Sequence, residues 1–77
     1  MEKDLVEYIV KSLVDDPAGV RVDVIERENS TILELHVAPG DIGKVIGKHG
    51  RIAKSIRTIL LAATMKDGKR AVLEILD

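Results

Sequence analysis

Asp41-Ile-Gly-Lys-Val-Ile-Gly-Lys-His-Gly-Arg-Ile-Ala-Lys-Ser-Ile-Arg57 gathers five Lys or Arg against one acid into seventeen residues. The chain around it is acidic on balance: residues 1–40 carry four bases and nine acids, residues 58–77 three of each, and the whole nets −1. At the centre of the basic stretch, Gly47 and Gly50 bracket Lys48 and His49. Val45-Ile46 before the pair and Ile52, Ala53 and Ile56 after it have the spacing of helices, so the glycines mark a tight turn between two helical segments. A two-residue turn of this kind needs backbone angles that glycine reaches without steric cost. One glycine is explained by a helix end and the other by the turn. Lys48 as the local counter-ion, His49 as a hydrogen-bond donor, and the positive end of a helix starting at Arg51 point further, to an anionic ligand approaching main-chain N–H groups. With the net charge so near zero, such binding is expected to be local, modest and salt-sensitive.

Outward from this stretch, Leu5, Val6, Ile9, Val10 and Leu13 fall on one side of a 3.6-residue period until Asp15-Asp16-Pro17 stops the segment, which predicts a first amphipathic helix. Val20, Val22 and Val24 alternate with Arg21 and Asp23. After a turn at Glu28-Asn29-Ser30, Thr31, Leu33, Leu35 and Val37 alternate with Ile32, Glu34 and His36. This is a β-hairpin pattern, with His36 on the solvent side. Pro39-Gly40 ends it, and Asp41 is placed to cap a very short helix through Val45 or Ile46, its carboxylate accepting from N–H groups one turn on. Beyond Gly50, the residues Ile52, Ala53, Ile56, Ile59, Leu60 and Ala63 share one face of a helix running to about Met65. Lys66-Asp67-Gly68-Lys69 closes it, with Gly68 as a left-handed turn residue, and Ala71 to Leu76 is a last strand. The order α-β-β-α-α-β describes one α+β domain over residues 1–77. A helical crossover makes the last two strands parallel where they are adjacent, giving a three-stranded mixed sheet with helices on one face.

Apolar residues are 45% of the chain and aromatics 1%, Tyr8 being the one aromatic, so the core is built from Ile, Leu, Val and Ala. Without cysteine there is neither a disulfide framework nor a thiolate site, and His36 and His49 alone do not make a metal site, so no cofactor or metal is expected. No apolar run approaches the roughly 18 residues of a membrane span, and Met1-Glu2-Lys3-Asp4 lacks the basic end of a secretion signal, which favours a cytoplasmic protein. The pair Asp15-Asp16 beside Pro17 is a helix stop rather than a catalytic or metal pair. No hydroxyl or amine has an identifiable base and orienting partner, so catalysis is not expected.

Dinucleotide and P-loop motifs fit poorly: the glycines at 43, 47 and 50 are not G-x-G-x-x-G, and Gly43-x-x-x-Gly47-Lys48 is one residue short and followed by His49. Val45-Ile46-Gly47-Lys48-His49-Gly50, followed by Ala53 and Ile56, instead resembles the signature of the KH domain, whose G-x-x-G loop clamps the backbone of about four single-stranded nucleotides. With a helix and strand before the core unit, the order is similar to the type II, prokaryotic form, over the whole chain. Ala53 stands where many KH domains have a larger aliphatic residue. The free-standing bacterial KH proteins of the KhpA family are the most similar. That resemblance implies single-stranded RNA binding, a role as RNA chaperone or post-transcriptional regulator, partnership with a multidomain KH protein of the KhpB type, and a link to cell elongation, cell shape and envelope homeostasis. It assigns the clamp to Gly47, Lys48, His49 and Gly50; position and charge add Arg51 and Lys54 as its basic flank and Lys44 as a further RNA-binding candidate. Ile42, Val45 and Ile46 on one side, with Leu35 or Val37 on the other, are candidate walls of a base groove, core being the more common role of such residues. With no aromatic near it, base discrimination rests on weak edge contacts and shape.

On the last helix Thr58, Leu61 and Met65 fall opposite the core stripe, near Lys54 and Arg57, and form a candidate contact for a second copy or a related KH protein. Pairing would place two weak RNA sites in one particle. Two other functions compete. A helix-turn-helix reader using the helix from Arg51 to Met65 predicts tighter binding to a duplex and leaves the strands without a role. A KH fold serving as a protein-interaction module, with the basic loop docking an acidic partner, predicts dimerisation or partner binding with no measurable RNA affinity.

Overall fold

Acidic Glu2 and Asp4 in the first turn and Lys11 in the last complement the dipole of helix α1 (Glu2–Leu13). The computed structural model describes residues 2–64 and 69–76. From α1 the chain passes through a 3-10 turn at Pro17–Gly19 into β1 (Arg21–Glu26) and β2 (Ser30–His36). A second 3-10 turn at Pro39–Asp41 leads to α2 (Ile42–Ile46), a third at Lys48–Gly50 to α3 (Arg51–Thr64), and β3 (Arg70–Leu76) completes the order. The end of α3 expected at Met65 and the turn expected at Gly68 lie outside the described residues.

The hairpin forms as the alternation predicts. Arg27 N–H donates to the Ser30 carbonyl at 2.8 Å, and the antiparallel register sets Val22 opposite Leu35 and Val24 opposite Leu33. β3 joins the other side of β2 in parallel, Leu33 opposite Leu73, to give the mixed sheet β1-β2-β3. Because side chains alternate along a strand, this register turns Val22, Leu33, Leu35, Ala71 and Leu73 to one face, where Val6 and Val10 of α1, Val45 of α2 and Ile56 and Leu60 of α3 complete the core. Each fully buried aliphatic side chain of this kind contributes about 1.5–3 kcal/mol relative to an exposed one. Tyr8 stays out, 74% exposed.

Two expectations are corrected. In α3 the buried positions are Ala53, Ile56, Leu60 and Thr64, whereas Ile59 and Ala63 are exposed. Ile59 sits about 100° around the helix from Leu60, beyond the arc that β3, α2 and α1 cover. Thr64 can enter the core because its hydroxyl donates to the Leu60 carbonyl at 2.9 Å. Asp41 holds the N-cap position of α2, but its side chain makes no cap bond: its backbone is already helical (φ −103°, ψ −6°), and a cap side chain reaches its own helix from extended angles. The buried carboxylate accepts instead from the N–H groups of Asp15 (3.2 Å) and Asp16 (3.0 Å), tying the end of α1 to the start of α2.

Candidate nucleic-acid interface

α2 ends where Gly47 turns to φ 76°, ψ 171°, a conformation essentially reserved for glycine. A Cβ at Gly47 would also lie 2.6 Å from Cγ1 and 2.9 Å from Cβ of Ile52. The turn is held by Gly47 N–H donating to the Gly43 carbonyl (2.9 Å), Gly50 N–H to the Gly47 carbonyl (3.1 Å) and Arg51 N–H to the Lys48 carbonyl. His49 is left-handed at φ 58°, ψ 24°, an uncommon state for a residue with a side chain, though histidine is among those enriched there. Gly50 has φ 72°, and the space where its Cβ would stand is open. The two glycines thus answer different demands: Gly47 admits Ile52 beneath the turn, while Gly50 leaves an unobstructed approach to the main chain.

Around this turn the side chains of Lys48, His49, Arg51 and Lys54 are exposed and, among the described residues, engage in no hydrogen bond or ion pair. The N-terminus of the fourteen-residue α3 lies directly after them and adds about half a positive charge. Lys44 differs from these four. Its ammonium lies 2.7 Å from Asp15 and 3.4 Å from Asp41. The hydrogen bond it donates to Asp15, then the one it donates to Asp41, raise its pKa against the opposing effect of desolvation. For Asp41, burial pushes the carboxyl upward, but the bonds from Asp15, Asp16 and Lys44 outweigh it and hold the pKa below the ordinary value. Sequence reading missed this latch because its partners stand 25 and 26 residues apart.

The expected groove walls divide by burial. Val45 and Leu35 are both 0% exposed and sit in the core, Ile42 and Val37 are half-buried, and Ile46 is 38% exposed. Ile46 therefore presents the largest apolar surface of this set beside the turn.

The described members of the expected contact surface are exposed on α3. Thr58 is exposed, its hydroxyl donating to the Lys54 carbonyl at 3.0 Å; Leu61 is 45% exposed; Met65 lies outside the described residues. Leu61 and Arg57 flank a groove of about 350 Å³ whose other wall is Arg70 to Leu73 of β3. Arg57 Nε donates to the Leu73 carbonyl at 3.4 Å, so this member of the basic stretch faces the strand edge. Among the described residues no helix is long and apolar enough to cross a membrane.

The family model described as "KhpA/KhpB, KH domain" matches residues 3–75. The chain is similar to the RNA-binding protein KhpA of Clostridium acetobutylicum, 60% identical over 74 residues that span 96% of this chain and 99% of the relative. It is similar also to the proteins of that name from Clostridium perfringens, 58% identical over 96% of this chain and 99% of the relative, and Aquifex aeolicus, 56% identical over 97% and 95%. No solved structure matches the chain.

Proposed function

This chain belongs to the KhpA/KhpB KH-domain family, and on that premise we propose that it binds single-stranded RNA through the turn Gly47 to Gly50. The observation that carries this reading is the set of exposed, unengaged Lys48, His49, Arg51 and Lys54 side chains around a turn with an open approach at Gly50. Phosphates lie against the turn and the positive end of α3, with Lys48 as nearest counter-ion. Ile46 offers an apolar contact to a base, while Val45 acts from below by fixing α2 to the core. Lys44 contributes chiefly by holding the turn's helix to Asp15. Such a site binds backbone and shape, a chemistry suited to an RNA chaperone or post-transcriptional regulator in the cytoplasm rather than to an enzyme. By family resemblance it works with a KhpB-type multidomain KH partner and bears on cell elongation and envelope homeostasis.

A second reading gains support from the α3–β3 groove: the exposed Leu61 beside Arg57 makes this flank a contact for a second copy or for the KH partner, and the domain then serves mainly as an interaction module. The discriminating experiment is fluorescence anisotropy of a labelled single-stranded RNA of about ten nucleotides, titrated with the protein and with the Lys48→Asp, His49→Asp double variant, circular dichroism confirming that both are folded. Binding that the double variant loses supports the RNA reading. No binding by either protein overturns it in favour of the interaction module, and tighter binding to a duplex of the same sequence overturns it in favour of a helix-turn-helix reader.

A further inference from the structure

The sheet face turned away from the helices carries charged rows set by the strand register. Asp23 stands directly opposite Glu34, which stands opposite Glu74, and Arg21 stands opposite His36. Residues two apart on a strand share a face, so Asp23, Glu34 and His36 converge, and one ligand atom from each lies within 4.8 Å of the other two. All three are half-buried. Like charges directly opposite each other across a strand pair are destabilising, and here the compensation is partial. Arg21 reaches Asp23 at 3.4 Å and His36 Nε2 at 3.1 Å, and His36 Nε2 lies 3.2 Å from Asp23 Oδ2. Glu34, in contrast, makes no hydrogen bond or ion pair among the described residues. A half-buried carboxylate without a partner among the described residues therefore faces a second carboxylate and an imidazole, on the sheet face opposite the core.

We propose that Asp23, Glu34 and His36 form a surface site for one divalent transition-metal ion, Zn²⁺ foremost. One imidazole nitrogen and two carboxylate oxygens are a donor set that zinc accepts in sites with three protein ligands, water completing the coordination. The imidazole favours zinc and its transition-metal neighbours over Mg²⁺ or Ca²⁺, which prefer oxygen alone. His36 binds through Nε2 as the neutral ring, its proton on Nδ1. The ion replaces the Arg21 guanidinium, whose side chain is 65% exposed and can swing into water. Arg21 is then a competitor for the same donors and sets the affinity from outside. Counting histidines along the sequence does not reveal this site, because only the hairpin register brings the two carboxylates to His36.

The test is isothermal titration calorimetry with Zn²⁺, and visible absorption with Co²⁺, on untagged protein near neutral pH, with the variants His36→Ala, Glu34→Gln and Arg21→Ala. The proposal expects one ion per chain, affinity weakened about tenfold or more in His36→Ala and Glu34→Gln, and affinity increased in Arg21→Ala. All three positions face outward, and circular dichroism checks that the variants are folded. Zinc affinity unchanged by His36→Ala, or no binding by either the native chain or Arg21→Ala, overturns the proposal.

Discussion

Gly47 and Gly50 stand three residues apart in one turn, yet a side chain meets a different obstacle at each. Gly47 has a backbone conformation that other residues avoid and also lies against Ile52. Gly47→Ala is therefore expected to destabilise the domain by about 1–3 kcal/mol, measured by urea unfolding. Gly50→Ala meets only the cost of a positive φ, about 1–2 kcal/mol, but its new methyl stands where the proposed RNA backbone approaches, so it should weaken RNA binding beyond its effect on stability. Asp41 makes a second residue-scale prediction. Its native pKa lies below the ordinary 3.8, so its contribution to stability is fully present above that value and is lost as pH falls through the lowered native one. Asp41→Asn should be less stable than the native chain at pH 7, and the difference should shrink as the pH is taken below about 4. A gap that stays constant with pH would show that the carboxylate charge is not what holds Asp15 and Asp16.

Among the elements, the hairpin and α1 are legible because both faces of their periodicity are used: Val22 and Leu35 point in, Asp23 and Glu34 point out. The turn at Gly47 to Gly50 is legible too, since glycine spacing and charge are local. α3 is less so. Its apolar stripe extends through Ile59 and Ala63, but how much of a stripe is buried depends on how far neighbouring elements reach, which the helix's own sequence does not record. The same holds for Asp41, whose partners come from the end of α1, and for Glu34, whose neighbours are set by register. On α3 the exposed Leu61 beside Arg57 and the β3 edge gives an element-scale prediction. If this flank joins two copies, Leu61→Glu should yield a folded monomer by light scattering; a variant that remains dimeric places the contact elsewhere. Leu35→Ala, in the middle of the sheet and fully buried, should cost about 2–5 kcal/mol.

Across the whole molecule, charge is sorted more sharply than the net value of −1 suggests. Basic, unengaged side chains surround the turn before α3, while Asp23, Glu34 and Glu74 form an acidic row on the open face of the sheet. On the proposed reading a polyanion is attracted to one part of the domain and repelled by another, which would orient it although the total charge adds almost nothing. Affinity should fall with added salt with a slope near −0.7 per phosphate neutralised, and a slope corresponding to only a few phosphates would match the small number of free cations at the turn. The most direct measurement is a ¹H–¹⁵N correlation spectrum of the protein titrated with a ten-nucleotide single-stranded RNA. Shifts concentrated from Ile46 to Lys54, with Asp23, Glu34 and Glu74 unmoved, are the predicted result. Shifts centred on the α3–β3 groove, or spread evenly over the surface, would contradict the assignment of RNA to the glycine turn.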